Sequence, residues 1–303
     1  MTTPHVTVVG AGIAGAACAV ALRDAGLAVR IVDRGRAPGG RMASPELHGR
    51  RVDTGAGYFT VKDDGFASIV DGWAKAGLAH EWTDTFGVVA AGSDPETKTG
   101  PMRWATANGL RSLVRSLLDG FDVVTETIDH LPDGDVVIAM PDPQAARLVS
   151  VPDAVDYDPV IAVVAEFGSR AWPFENAAFV NDHPDINFVA DDGARRGDGA
   201  PVLVAHTTAE RAGKHLDDPQ SAIDPVLRAL KDVLDVADPV WTHAHRWTFA
   251  KPAAQHESSF GYSRENGRII GFAGDQWCPS GSPRVESAWM SGTALGKQIA
   301  ADT

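Results

Sequence analysis

Gly10, Gly12 and Gly15 stand between a short apolar run, Val6–Val9, and a helical stretch that reaches Gly26. A second apolar run, Ala28–Val32, ends in Asp33, 18 residues beyond Gly15. A strand that turns on three glycines into a helix, then a second strand closed by an acid, is the βαβ fingerprint of dinucleotide binding. Each glycine has its own task. Gly10 makes the tight turn, Gly12 lets a pyrophosphate approach the backbone, and Gly15 lets the helix pack close to the strand. The helix opening at Ile13 and Ala14 turns free N–H groups and a positive dipole end to the phosphates. Asp33 is placed to accept ribose hydroxyls, and an acid there argues against a 2′-phosphate. A nucleotide-free α/β turn is the alternative, and the strand, helix and acid at these distances count against it.

Three further blocks narrow the dinucleotide. Arg34–Arg41, with Gly39-Gly40-Arg41, resembles the signature after the second strand of flavin amine oxidases. Asp53-x-Gly55-Ala56-x-Tyr58-Phe59 resembles the next block of that superfamily. Gly271–Cys278 and Arg284–Gly292 are similar to its closing FAD motif. Met102-Arg103-Trp104, His245-Arg246-Trp247 and the closing blocks look most like the renalase-like group of FAD-dependent oxidoreductases. The resemblance covers both ends and scattered motifs between them. It implies FAD held non-covalently, with Gly10, Gly12, Ile13, Ala14, Gly15, Asp33, Arg34, Gly40, Arg41, Met42, Gly55, Ala56, Gly274, Asp275, Arg284 and Val285 around it. It also implies that Asp275 holds the ribityl and phosphate region. One departure stands out. Such families insert a small β-meander where this chain has only the short connection Thr125–Gly134, so the FAD lobe is trimmed and the adenine side less covered.

The fold class expected is α/β. A Rossmann-type FAD domain shares the chain with a discontinuous α+β substrate domain on a mixed or antiparallel sheet, as in amine oxidases and hydroxylases. The FAD domain takes 1–65, 101–148 and 262–303, and the substrate domain takes 66–100 and 149–261. Helices are expected at Phe66–Leu78, Asn108–Leu118, Asp142–Val149 and Ala222–Leu234, on apolar stripes such as Phe66, Ile69, Val70 and Trp73. Strands are expected at Glu81–Ala91, Asp135–Met140, Ile161–Phe167, Ala178–Asn181, Ile186–Ala190, Val202–Thr207, Val240–Arg246 and Ile269–Ala273. Gly92–Gly100 reads as a polar loop and Asp191-Asp192-Gly193 as a turn. Ser282 as cap and Pro283 at the first position start the last helix.

A chain of 303 residues with 44% apolar content is an ordinary globular protein of one large or two intimate domains. No apolar run approaches twenty residues and no signal segment precedes the first strand, so a cytoplasmic location is expected. A net charge of −13 makes nucleic acid and anionic membrane poor partners. Cys18 reads as a helix core residue. Cys278, beside the flavin motif, reads as a pocket thiol, with covalent attachment as the alternative. No metal site is expected; His243 and His245 share a strand face, which suits ordinary hydrogen bonding as well as a metal pair.

The catalytic residues are not identified. Tyr58, Phe59, Trp247 and Trp277 are candidates to line the pocket, with Trp104 weaker and the core as the alternative for each. Arg41 suits bidentate contact with the pyrophosphate. Lys251 near the flavin, as in some amine oxidases, is a minor option. No base pair and no Ser-His-Asp set is evident, which fits direct hydride transfer. Resemblance implies oxidation of off-pathway NAD(P)H isomers, with a hydride passing from the dihydronicotinamide to flavin N5 and O2 reoxidising it. An amine oxidase acting on a small amine is the alternative, and a non-catalytic FAD-binding protein or redox sensor is another.

Overall fold

The computed structural model describes residues 5–279, 281 and 284–303. Along the chain run β1 (His5–Val9), α1 (Ile13–Asp24), β2 (Ala28–Asp33), β3 (Glu46–Leu47), β4 (Arg50–Arg51), β5 (Phe59–Thr60), α2 (Asp64–Lys75), β6 (His80–Val89), β7 (Glu96–Ala105), α3 (Arg111–Leu117), β8 (Val123–Thr125) and β9 (Asp135–Ile138). Then come α4 (Asp142–Ala145), β10 (Tyr157–Glu166), β11 (Ala177–Val180), β12 (Ile186–Asp191), α5 (Asp192–Arg196), β13 (Val202–Thr207), α6 (Ala209–Gly213), α7 (Ile223–Leu234), β14 (Trp241–Pro252), β15 (Gly261–Glu265), β16 (Arg268–Phe272) and α8 (Val285–Ala301).

One sheet has the order β15-β16-β9-β1-β2-β8. Its strands run parallel, save that β15 is antiparallel to β16. Parallel strands buried on both faces need near-continuous apolar runs, and Val6, Val8, Val136, Val137, Ile138 and Ile270 are each fully buried. Cys18 and Leu22 of α1, Leu113 of α3 and Leu295 of α8 share one cluster with Val6 and Val8. Burial pushes the Cys18 thiol up to about 12, so it stays an inert packing group. Val9, Ile138 and Phe272 pack on the other side with Trp277, and Ile128 and Leu131 of the short connection after β8 close over them.

α8 lies directly on α1. A Cβ on Gly292 would stand 1.9 Å from the Ala14 carbonyl oxygen, and one on Gly296 would stand 2.8 Å from that of Cys18. The paired positions rise together along both helices, so they run the same way. α8 starts about six residues before its point of contact with Ile13, which carries its N-terminus roughly 9 Å beyond that of α1.

The second sheet has the order β14-β10-β13-β12-β11-β6-β7-β5. It is antiparallel except where β11 joins β6. Ile161, Val163, Leu203 and Ala205 face Val226, Leu230 and Leu234 of α7. Each large side chain so buried contributes roughly 1.5–3 kcal/mol. The opposite face turns to the segment 52–58.

Two local expectations are corrected. Glu96–Gly100 is strand, not loop, because β7 pairs with β6 from Val88↔Glu96 to Thr85↔Thr99. Its residues are exposed, so no apolar alternation announces them. Asp191-Asp192-Gly193 is no turn but the start of α5, with the Asp191 carboxylate accepting from Ala194 N at 2.9 Å. The expected Ser282 and Pro283 start lies outside the described residues. α8 opens at Val285, where Ser287 Oγ accepts from Arg284 N at 2.8 Å. Among the described residues no helix is long and apolar enough to cross a membrane.

Candidate active site

The glycine cradle sorts itself by asking what a side chain would meet. Gly10, at φ 112°, would put a Cβ 2.4 Å from Ala139 O, and Gly15 would put one 1.9 Å from Gly10 O. Both are required by the protein's own packing. Gly12 has an ordinary φ of −76°, and its Cβ would meet nothing nearer than Gly40 Cα at 4.0 Å. Neither backbone nor neighbours demand a glycine there, so the space fits a ligand pressed to the main chain. No side chain caps α1, and its first turn holds no acid. Its free N–H groups and dipole end therefore suit a diphosphate. Asp33 accepts from Ala11 N and Gly35 N, both at 2.6 Å, and so ties the end of β2 to the cradle. Arg34 is exposed beside it, while Met42 is buried.

Gly39-Gly40-Arg41 crosses over Gly12 and delivers Arg41 to Asp275. The pair is bidentate, at 3.0 Å and 2.5 Å, and Arg41 also donates to Ala250 O at 3.0 Å. Burial works against the charge on Arg41, but Asp275 outweighs it and holds the guanidinium above its ordinary value. Gly55 is held under this loop, since a Cβ would stand 1.9 Å from Arg41 O. Gly274 is held by Gln276, whose Oε1 would be 2.1 Å from such a Cβ. Beside Arg284 and Val285, Glu286 is buried and accepts from Lys62 N at 2.6 Å and Asp63 N at 2.8 Å. It fixes the start of α8 against the start of α2.

The second sheet meets Thr54–Tyr58 along its inner face. Trp247 Nε1 donates to Thr54 O at 2.7 Å. A Cβ on Gly57 would stand 3.4 Å from Phe188 Cε1 and 3.2 Å from Arg195 Nη1. Phe188 of β12 lies opposite His206 of β13. Residues directly opposite share a face. On it Tyr58, Phe86, Phe179 and Phe188 form an edge-to-face and tilted set at 5.2–6.2 Å, Trp82 stands 5.3 Å from Phe86, and His206 lies 5.5 Å from Phe188. Burial, then the charge of Arg195, holds His206 down to about 4, so its imidazole is neutral. Arg103 lies over the Phe86 ring at 3.8 Å and the Tyr58 ring at 5.6 Å.

Behind these rings sits a buried ionic network. Arg195 donates to Gly57 O at 2.8 Å and to Asp192. Arg196 donates to Asp192 at 3.0 Å and Asp53 at 3.1 Å, and Arg50 donates to Asp192 at 2.6 Å. Asp53 also accepts from Ser44 Oγ and from Leu110 N at 2.9 Å. Burial would raise Asp192, but Arg195, Arg196 and Arg50 together hold it below the usual carboxylate range. These residues link the segment carrying Gly55–Tyr58 to α5 and to the start of α3.

The sequence candidates therefore separate. Tyr58 and Trp247 lie on the inner face. Phe59 is buried in the core with Phe66, Trp73 and Trp104. Trp277 stacks on His256 at 3.5 Å and lines a different depression, of about 880 Å³, with Phe260 and Tyr262. Lys251 is exposed on β14 opposite Asp158. His243 and His245 lie along β14, both held below the usual histidine value by burial first. Among the described residues no three metal-ligating side chains gather. The network and His206 went unforeseen. Asp192 with Arg195 and Arg196 at i+3 and i+4 was the available signal, a helical ion-pair spacing; for His206 there was none.

Residues 109–299, more than half of the chain, match the model of flavin containing amine oxidoreductases, and 8–71 match that of NAD(P)-binding Rossmann-like domains. Phytoene dehydrogenase of Streptomyces griseus is 47% identical over 68 residues, which is 22% of this chain and 13% of that protein. Hydroxyneurosporene desaturase of Rubrivivax gelatinosus is 44% identical over 62 residues, 20% and 12% of the two chains. The chain thus spans about an eighth of the length of these curated relatives. Cyclohexylamine oxidase from Brevibacterium oxydans IH-35A superposes with a TM-score of 0.75, at 15% identity over 99% of both chains. Wild-type putrescine oxidase bound to putrescine gives 0.72, at 15% identity over 99% of this chain and 98% of that one. These two likenesses establish the fold. The class defined by fold and cradle is a dinucleotide-binding protein with a Rossmann-like domain. The chain belongs to the flavin containing amine oxidoreductase family.

Proposed function

We propose that the chain is an FAD-dependent oxidase whose reducing substrate is a dihydronicotinamide-type molecule, an off-pathway NAD(P)H isomer, which brings an uncharged dihydronicotinamide ring to the site. FAD, held without a covalent bond, supplies the hydride acceptor. Gly10, Gly12, Gly15 and the N-terminus of α1 would hold its diphosphate. Arg41, Asp275 and the N-terminus of α8 would serve the remainder. Two helix N-termini pointing one way with an offset support a long cofactor with two electron-rich parts, a diphosphate and the pyrimidine end of a flavin. In this reading 1–65, 101–148 and 262–303 serve the cofactor, and 66–100 and 149–261 the substrate, although β5 and β7 hydrogen-bond into the second sheet.

The observation that carries the substrate reading is the charge beside Gly57. The rings there are accompanied by the guanidiniums of Arg103 and Arg195 and by a neutral His206. Among the described residues the ring set itself includes no carboxylate, and Asp192 and Asp53 behind it are already engaged by Arg195 and Arg196, so an ammonium there would lack a free counter-charge. The rings bind a planar substrate and exclude water. No base is needed, because losing a hydride leaves an aromatic nicotinamide. Dioxygen would take the hydride's two electrons and its proton, with a second proton from solvent, to give hydrogen peroxide.

An amine substrate is the second reading, and the family favours it. A pair of tyrosines facing an amine is hard to assemble here. Of the three, Tyr157 packs against Arg41 and Tyr262 donates to Asp302, which leaves Tyr58. Anaerobic titration of the flavoprotein decides between them. Mixed dihydronicotinamide isomers should bleach the flavin band while an amine panel leaves it. Bleaching by amines alone overturns the proposal.

A further inference from the structure

We infer that His206 is the specificity-determining residue of this site, and that the group it receives is a carboxamide on the substrate ring. The inference rests on the dihydronicotinamide reading above.

The placement comes from the strand ladder. β13 sets His206 opposite Phe188, on the face that Gly57 and Tyr58 cover. Phe179 and Phe188 are half-buried there, as are Tyr58, Trp82 and His206 itself. Four rings and one imidazole thus keep some surface open on that face.

Most of the hydrogen-bonding groups around that face have protein partners, although Arg103 Nε and Arg195 Nε have none. Arg195 is committed to Gly57 O and Asp192, and Arg103 to Asp84 O at 2.6 Å. Trp247 is committed to Thr54 O. Among the described residues no side chain or backbone group bonds the His206 imidazole. A neutral imidazole offers one donor and one acceptor. A carboxamide offers the same two. An ammonium offers donors only and would stand near two guanidiniums. A planar ring suits the edge-to-face surroundings.

The test is equilibrium binding to the oxidised holoenzyme, followed as a perturbation of the flavin band. The probes are nicotinamide, nicotinate and benzylammonium, which share a ring and differ in charge. Nicotinamide should bind tightest to the wild type. His206→Phe should weaken it at least tenfold at unchanged flavin content, and His206→Gln, which keeps a donor and an acceptor, should stay within threefold. Equal nicotinamide binding by wild type and His206→Phe overturns the role of His206. Tightest binding of nicotinate or benzylammonium overturns the carboxamide. If wild-type flavin is reduced by amines alone, the reading of the reaction fails, and the KM of His206→Gln and His206→Phe for that amine then judges His206 by itself. A tenfold rise in His206→Phe retains the residue as a substrate contact, and no change removes it.

Discussion

The glycine cradle and the inner face of the second sheet meet along Thr54–Tyr58, yet they are built in opposite ways. The cradle is backbone. Its function lies in what Gly10, Gly12 and Gly15 lack, and all three fall within six residues of chain. The inner face is side chain. Asp53 and Arg196 are 143 residues apart, and His206 reaches Phe188 only through the β12–β13 register. A site made of backbone can be found from spacing. A site made by strand pairing becomes visible only once the register is fixed.

The largest effect should come from breaking the ionic network behind the inner face. Asp192→Ala leaves Arg50, Arg195 and Arg196 without their shared carboxylate. Loss of one partner in a buried pair costs about 3–5 kcal/mol. Urea unfolding should show that loss; a change below about 1 kcal/mol would mean that the network is solvated, with the weak coupling of surface pairs.

Acid should weaken the same face nearly as much. His206 is held at about 4 when folded, against 6.5 ordinarily. The unfolded chain takes up a proton where the folded chain does not, so stability falls as pH drops from about 6.5 to about 4, by roughly 3 kcal/mol in all. Unfolding curves of wild type and His206→Phe across that range test this, and parallel pH dependences in the two would contradict it.

The cradle offers a smaller and sharper contrast. Gly15→Ala drives a Cβ into the Gly10 carbonyl oxygen. Such overpacking costs about 1–3 kcal/mol. Thermal unfolding should fall accordingly, and flavin content with it. An unshifted midpoint would mean that α1 can lift from the strand without loss.

Legibility in the sequence followed the same division. α2 and α7, with clear apolar stripes, begin and end within a few residues of expectation. β7 was missed over Glu96–Gly100 because exposed strand has no burial period to read. Phe59 and Tyr58 are adjacent in sequence and look alike as pocket candidates, but alternate strand directions send Phe59 into the core and leave Tyr58 on the face. α5 was hidden because charged residues after a strand suggest a solvated turn, and only Arg50 and Asp53, brought in from far away, turn them inward.

Gly12→Ala is the smallest change in stability and the most direct test of what the cradle is for. At the N-cap of α1, with no neighbour nearer than 4.0 Å, the added methyl meets no clash and should cost only the modest preference of that position for Gly over Ala, about 0.5–1 kcal/mol. The measurement is flavin bound per chain in the purified variant, beside its unfolding midpoint. A midpoint within a few degrees of the wild type with flavin content down at least tenfold is the expected result. Full flavin content at that midpoint would show that the space over Gly12 is not where the cofactor lies.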